Sequence, residues 1–422
     1  MYCLVDANAF YASCEAVFRP DLRQKGQLAP IVVLSNNDGC IVAMNNSAKR
    51  LGEKFGIKKF DPFFKHQKAI ETLGINVFSS NYELYASISE RMMQTIGRFS
   101  PDHHIYSIDE QFLCFDSFPN LDPQRVGEEI RKTVWRECRI PVSVGFGDTL
   151  TLAKLANRWA KNEPSGVFRI GKSENMRKTL IESNCDQIWG IGSKYTQRLK
   201  FEGITNALQL SEASFSELRR TYNIEIERIA RELNGERCRS YDEIRADKKQ
   251  IFSSRTLGEK IFSKDSLCEA LSKHAHIASR KLREQQSRCK TMIVFASSSL
   301  YDTDAYSAKF IHRFESPTAD LTKITKVINQ NIDQLFSDKV AFSKVGVGLV
   351  DILSEKGLQL DLLEPNPDKS NLMSIIDKTN LRFGSNTLKF GSCGREREWE
   401  MKRLFLSPRF TTCWRDLPQI VC

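Results

Sequence analysis

Apolar and polar positions alternate in short blocks along the first 170 or so residues. "YCLVDA" reads as a strand ending at Asp6, and "FYASCEAVF" follows with a helix start. "PIVVLS" (30–35) is a fully apolar strand, and "CIVAMNNSAKRLGEKFG" (40–56) reads as strand then helix. "IYSI" and "QFLCFD" are short strands on either side of Asp109 and Glu110. "EEIRKTVWREC" (128–138) has helical spacing, with Ile130, Val134 and Trp135 on one face; "PVSVGFG" (141–147) is a strand and "TLAKLANRWAKN" a helix. This alternation predicts a mixed sheet with helices on one side. "EPSG" (163–166) closes the region, and "VFRI" adds a short strand.

From about 172 to 240 the pattern is almost purely helical, around "IWGIGSKYTQRLKFEGITNALQL" (188–210). From about 246, strand-like runs mix with two helical ones. Residues 273–290 hold Lys273, Arg280, Lys281, Arg283, Arg288 and Lys290, and Leu267, Leu271, Ala278 and Leu282 form the apolar stripe of the helix expected there. "EKGLQLDLLEPNPDKSN" (355–371) has two prolines and little periodicity, and reads as a linker. At 422 residues and 41% hydrophobic content, three or four units are expected.

Composition narrows the function classes. No apolar run is long enough for a membrane span, and the N-terminus lacks the pattern of a signal peptide. Twelve cysteines are scattered, without a C-x-x-C pair or a Cys/His cluster, which predicts reduced thiols in a cytoplasmic protein and no structural zinc. Lysine and arginine total 62 against 52 acids, a formal charge of +10 compatible with a polyanionic partner.

The adjacent acids Asp109 and Glu110 form a polar turn that by itself needs no function. If the strands around them neighbour the strand ending at Asp6, three carboxylates converge at one edge. Close anions repel unless something positive sits among them. Hard divalent cations take such oxygen ligands, and two of them can assist phosphoryl transfer. Phe10 and Tyr11 could meet a sugar face, and Lys49 and Lys161 could pair with phosphates. Each of these also has an ordinary reading, as core or as solvated surface.

"DANAFYASCE", "VVLSNNDGCIVA", "SSNYELYASIS", "YSIDE" and "TLAKLAN", with "IWGIG", "SRTLGE" and "MKRLFLSPRFTT" further on, together resemble the Y-family of translesion DNA polymerases over nearly the whole chain. The resemblance implies an α+β, multidomain right hand: a ferredoxin-like palm (1–171) with inserted small fingers (about 20–78), a helical thumb with a helix-hairpin-helix (172–242), an α/β little finger (243–353), and a C-terminal linker and docking tail (354–422). It implies error-prone, DNA-directed synthesis from dNTPs on a primed template within the SOS response. Asp6, Asp109 and Glu110 would be the metal ligands for two Mg²⁺ ions, with the Ala7 carbonyl helping. Tyr11 would be the steric gate against a ribose 2′-OH, beside Phe10. Lys49, where many members carry Arg, and Lys161 would touch the triphosphate. Asn46 stands where many relatives have Tyr, and Gln111 where Ala is usual, at the site edge.

For the duplex, Gly190, Gly192 and Lys194 match the helix-hairpin-helix, with Lys200 adding charge, and Arg255 and Lys281 fall in the little finger. Gln359, Leu360, Asp361, Leu362 and Leu363 are similar to the peptide that binds the bacterial sliding clamp. The resemblance also implies binding of a processed UmuD dimer by the terminal segment, activation by a RecA filament, and bacterial cytoplasmic work. Two rival readings stay open from the residues: a nucleotidyl cyclase, and a DNA-binding scaffold with structural acids.

Overall fold

The computed structural model describes the chain apart from residues 25–26, 119, 172–173, 241–246, 357, 359–366, 385–386, 395–400 and 418–422. The chain divides into two units, Met1–Arg245 with Leu404–Cys422, and Ala246–Arg403. Among the described residues no helix is long and apolar enough to cross a membrane.

The first unit is built on a five-stranded sheet in the order Val167–Arg169, Val142–Gly147, Tyr2–Ala7, Glu110–Cys114, His103–Ile105. Only the first pair is parallel, so the sheet is mixed, as the alternation predicts. Strand alternation sorts its side chains between two faces. Cys3, Val5, Leu113, Val144 and Phe146 join a core with the helices Tyr82–Gly97 and Pro123–Cys138. Leu4 and Phe112 point the other way and meet Leu150 and Ala153 of the helix Leu150–Ala160.

Helices therefore cover both faces rather than one. Two glycines make the second layer possible. A Cβ on Gly145 would lie 2.0 Å from the Asn157 nitrogen, and one on Gly147 would lie 2.5 Å from the Ala153 nitrogen. The strand carries this helix at such close range only without side chains there. Trp135 also departs from expectation: the buried stripe of its helix is Gly127, Ile130, Val134 and Cys138. Trp135 is instead exposed, with the Arg23 guanidinium 5.2 Å from its ring centre.

An insert carries a three-stranded sheet, Ile41–Met44, Ile31–Leu34 and Asn76–Ser79, with its own core through Leu34, Ile41, Phe63 and Ile70. Five short helices between Glu174 and Leu233 close over Leu180, Leu199, Leu210 and Ile229. The second unit has a four-stranded antiparallel sheet in the order Ile251–Ile261, Phe342–Ser354, Ser287–Ser297, Ser307–Thr318. The helix Lys264–Glu284 buries the expected stripe Leu267, Leu271, Ala278 and Leu282 against it. The helix Ser370–Phe383 adds Met373 and Ile376 to the same core. Residues 404–417 belong to the first unit, so the chain after 354 is shared between the two.

Glu15, at the end of the helix Phe10–Glu15, is 1% exposed and accepts the Tyr85 hydroxyl. Burial pushes its carboxyl up to about 7, against the opposing pull of the Tyr85 and Ser407 hydroxyls and Arg19. Between the ordinary value of 4.5 and 7, the native state binds more protons than the unfolded chain. Stability must then fall as pH rises through that window. Glu15→Gln should remove this slope, so its melting temperature relative to wild type should rise from about pH 5 to about pH 8. Thermal unfolding across that range checks it; parallel curves for the two proteins would refute it.

Candidate active site: a carboxylate edge beside a cation-lined cavity

Strand register brings the acids together. Asp6 stands opposite Glu110, and the Ala7 N–H donates to the Asp109 carbonyl at 2.9 Å. The turn before the second strand is closed by the Tyr106 and Ser107 N–H groups on the Glu110 carbonyl, at 3.0 and 3.1 Å. The Ser107 hydroxyl donates to Asp109 Oδ1 at 2.6 Å and lies 3.3 Å from Glu110 Oε2. Asp6, Ala7, Asp109 and Glu110 thus share one edge of the sheet.

Two lysines answer this charge. Lys161 Nζ lies 2.7 Å from Asp6 Oδ1, and Lys154 Nζ lies 3.0 and 3.2 Å from the two Glu110 oxygens. Seven residues make two helical turns, so both ammonium groups leave the helix on one face. Lys154 was not among the residues singled out from sequence, although its spacing from Lys161 in "TLAKLANRWAKN" is visible there. Its ammonium also sits 4.1 Å from the Tyr106 ring centre and 5.1 Å from that of Trp189.

Burial above all pushes the Asp6 carboxyl up to about 6; Lys161 opposes the shift, and Glu110 and Asp109 add to it. Among the described residues, no three His, Cys, Asp or Glu side chains are gathered closely enough to hold a metal ion. Asp6 and Glu110 are turned to lysines instead, and Asp109 accepts the Ser107 hydroxyl. The donor set still fits a hard cation, because it is all oxygen and half-buried Asp6 resists ionising without more positive charge.

Beside the edge, Ala9 takes a left-handed conformation (φ 47°, ψ 49°) and turns the chain into the helix Phe10–Glu15. A non-glycine residue there is uncommon and fixes the direction in which the next side chains leave. Phe10 is buried, while Tyr11 is half-buried. The Tyr11 ring stacks on Tyr85 (4.7 Å between centres, 17° between planes) and meets Tyr82 edge-on at 6.1 Å. A cavity of about 800 Å³ has Ala9, Asn46, Lys49, Arg50, Arg158 and Lys161 in its wall. Lys49 and Lys161 thus face one space, and Arg50 and Arg158 join them unanticipated. Asn45 caps the helix carrying Lys49, accepting from the Ala48 N–H at 2.9 Å and the Ile31 N–H at 3.1 Å.

Gln111 is not at the site edge. It is fully buried, its amide is near Gly97, and neither of its amide atoms has a hydrogen-bond partner among the described residues. Period-two alternation after Glu110 sends it to the opposite face of the sheet.

Gly190 takes φ 94°, and a Cβ there would lie 2.9 Å from Ile229 Cδ1. Gly192 caps the helix Ser193–Phe201, and Lys194 and Lys200 are exposed on it. In the second unit Arg255 is exposed, with Nη1 3.5 Å from the Met401 sulfur, and Lys281 is half-buried. Part of the basic run there serves its own fold. Arg283 grips Asp377 with two bonds of 2.7 and 2.9 Å, and Arg288 pairs with Glu355 at 3.1 Å. Gln359, Leu360, Asp361, Leu362 and Leu363 lie outside the described residues.

Comparison with known proteins places these features. Residues 5–158 match the impB/mucB/samB family and 248–362 that family's C-terminal domain, while 370–420 match a domain of unknown function, DUF4113. Protein UmuC of Salmonella typhimurium is 37% identical over 100% of both chains, and protein ImpB of Salmonella typhimurium is 36% identical over 99% of both. A solved Y-family DNA polymerase chimera, 20% identical, shares the fold with a TM-score of 0.61 over 84% of this chain and 99% of its own. With 37% identity to UmuC over the full length of both chains, the chain belongs to the impB/mucB/samB family, and it has the fold of the Y-family chimera.

Proposed function

We propose that the carboxylate edge is where this DNA-directed DNA polymerase of error-prone translesion synthesis joins a dNTP to a primer 3′-OH. The observation that carries the site assignment is the register of Asp6 against Glu110, with Ala7 bonded to Asp109, beside the cation-lined cavity. In the reaction the primer hydroxyl bonds to the α-phosphorus, its proton is lost, and the bond to pyrophosphate breaks.

Asp6, Asp109 and Glu110, with the Ala7 carbonyl, would hold two Mg²⁺ ions. When bound, such ions supply activation of the attacking hydroxyl and neutralisation of the leaving group. The remaining work falls to this chain's side chains. Lys49, Arg50, Arg158 and Lys161 offer four positive charges to the triphosphate. Lys161 bridges cavity and edge, since it lines the first and pairs with Asp6 in the second. Lys154 holds both oxygens of Glu110 and so fixes the carboxylate's direction. The Tyr11 ring, backed by Tyr85, would collide with a ribose 2′-OH and select deoxynucleotides.

On this reading the duplex backbone is held through Gly190, Gly192 and Lys194, and through Arg255 and Lys281, without sequence readout. On the same reading the partners are primed DNA, a processed UmuD dimer, a RecA filament and a sliding clamp at 359–363, in the bacterial cytoplasm; the likeness to UmuC supports it. A scaffold reading would keep the two lysine–carboxylate pairs as purely structural.

Primer extension separates these readings. Replacing both Asp109 and Glu110 by Ala should abolish extension while the melting temperature stays near wild type; extension at the wild-type rate would sink the site. Tyr11→Ala should raise ribonucleotide insertion roughly ten- to a hundredfold relative to deoxynucleotide; an unchanged sugar preference would remove the gate. Lys154→Met takes a charge-assisted bond from Glu110 and should cut kcat/KM about ten- to a hundredfold. A Lys154→Met enzyme with wild-type kcat/KM would reduce that lysine to a structural pair.

A further inference from the structure

The segment 404–410 is built into the first unit rather than trailing from it. The Leu404 N–H donates to Asp38 Oδ2 at 2.7 Å. The Phe405 N–H donates to Ser79 Oγ at 2.9 Å, and its carbonyl accepts the Ser79 N–H at 2.9 Å. The Asn81 amide donates to the Ser407 carbonyl at 3.1 Å and the Ser407 hydroxyl at 3.0 Å. Two rings fasten the ends: Phe405 meets Phe63 edge-on at 5.9 Å, and Phe410, 8% exposed, lies 5.1 Å from Phe18.

One of the anchoring residues, Asn81, leads to Tyr11 through the helix it caps. Asn81 is fully buried, and its Oδ1 accepts the Leu84 N–H, capping the helix Tyr82–Gly97. Its Nδ2 is cut off from water, so the Ser407 oxygens are what satisfy it. The first turn of that helix carries Tyr82 and Tyr85, the two rings against which Tyr11 rests. The Tyr85 hydroxyl is held by buried Glu15, on the same short helix as Tyr11. Ser407 thus bonds the residue that caps the helix of Tyr85, while Glu15 holds the hydroxyl of Tyr85 itself.

We propose that 404–410 is a strap that sets the sugar gate, with Ser407 and Asn81 as positioning residues for Tyr11. It rests on the reading of Tyr11 as that gate. A steric gate discriminates by a repulsive wall, and a wall excludes a hydroxyl only while it cannot recede. Tyr11 cannot recede because Tyr85 is stacked behind it. Tyr85 cannot recede while its hydroxyl is pinned and its helix start is capped. The strap completes the cap from a point in the sequence more than 300 residues away.

The test is single-nucleotide insertion by full-length wild type, Ser407→Ala, Phe405→Ala, the double variant and Tyr11→Ala. The readout is the ratio of kcat/KM for dNTP to that for rNTP. Each single strap variant should lower the ratio about threefold, and the double variant roughly tenfold, toward the Tyr11→Ala value. The ratio does not depend on how much protein is active, so partial misfolding cannot imitate the effect. If Phe405→Ala fails to fold, Ser407→Ala, which deletes one oxygen, still decides. Equal losses for dNTP and rNTP would overturn the strap's role in selection and leave it a structural clasp. A wild-type ratio in Tyr11→Ala would overturn the gate itself, and the strap's role with it.

Discussion

Repulsion among three carboxylates at one sheet edge is the constraint around which this polymerase unit is organised. Strand pairing sets Asp6 beside Glu110, and the Asp109 carbonyl is tied to Ala7, so the acids cannot separate without breaking the sheet. Positive charge has to be brought to them. The protein brings it on one helix face, with Lys154 on Glu110 and Lys161 on Asp6. Both pairs are only partly exposed, where a cation's pull is screened less than on an open surface.

The position of that helix is therefore part of the site. Asn157, between the two lysines in sequence, donates from its amide to the Leu4 carbonyl at 3.0 Å and the Ser143 carbonyl at 2.7 Å. Leu4 is two residues from Asp6 on the same strand. Gly145 and Gly147 open the room for this approach. On its far side the helix packs against the bundle that carries Trp189, whose ring lies near Lys154 and, at 4.6 Å from its centre, the Arg239 guanidinium. Sheet, helix and bundle thus meet at one ammonium group.

The aromatic side of the site follows the same logic of support from behind. A left-handed Ala9 starts the helix in which Phe10 is buried and Tyr11 half-buried, and Tyr85 stacks on the Tyr11 ring. Glu15 sacrifices stability at neutral pH by staying buried, and what it holds is the Tyr85 hydroxyl. A residue that costs stability where it holds the ring behind Tyr11 fits function competing against fold at this point.

By itself the sequence determined the elements and the chemistry they carry. Period-two runs around Asp6 and Glu110, the helical stripe of Leu267, Leu271, Ala278 and Leu282, and the motif order from "DANAFYASCE" to "MKRLFLSPRFTT" were all legible, because each is a local pattern or a match of residues in order. What tertiary structure decided was which local patterns face each other. It put a helix on the second face of the sheet, turned Gln111 away from the site, left Trp135 exposed, and drew Lys154, Arg50 and Arg158 to the acids and the cavity. It also spent Arg283 and Arg288 on internal pairs and returned 404–410 to the start of the helix that carries Tyr85. These outcomes depend on close approach between residues distant in sequence. No local period records such contacts, and they exist only once glycines, rings and opposite charges have packed against one another.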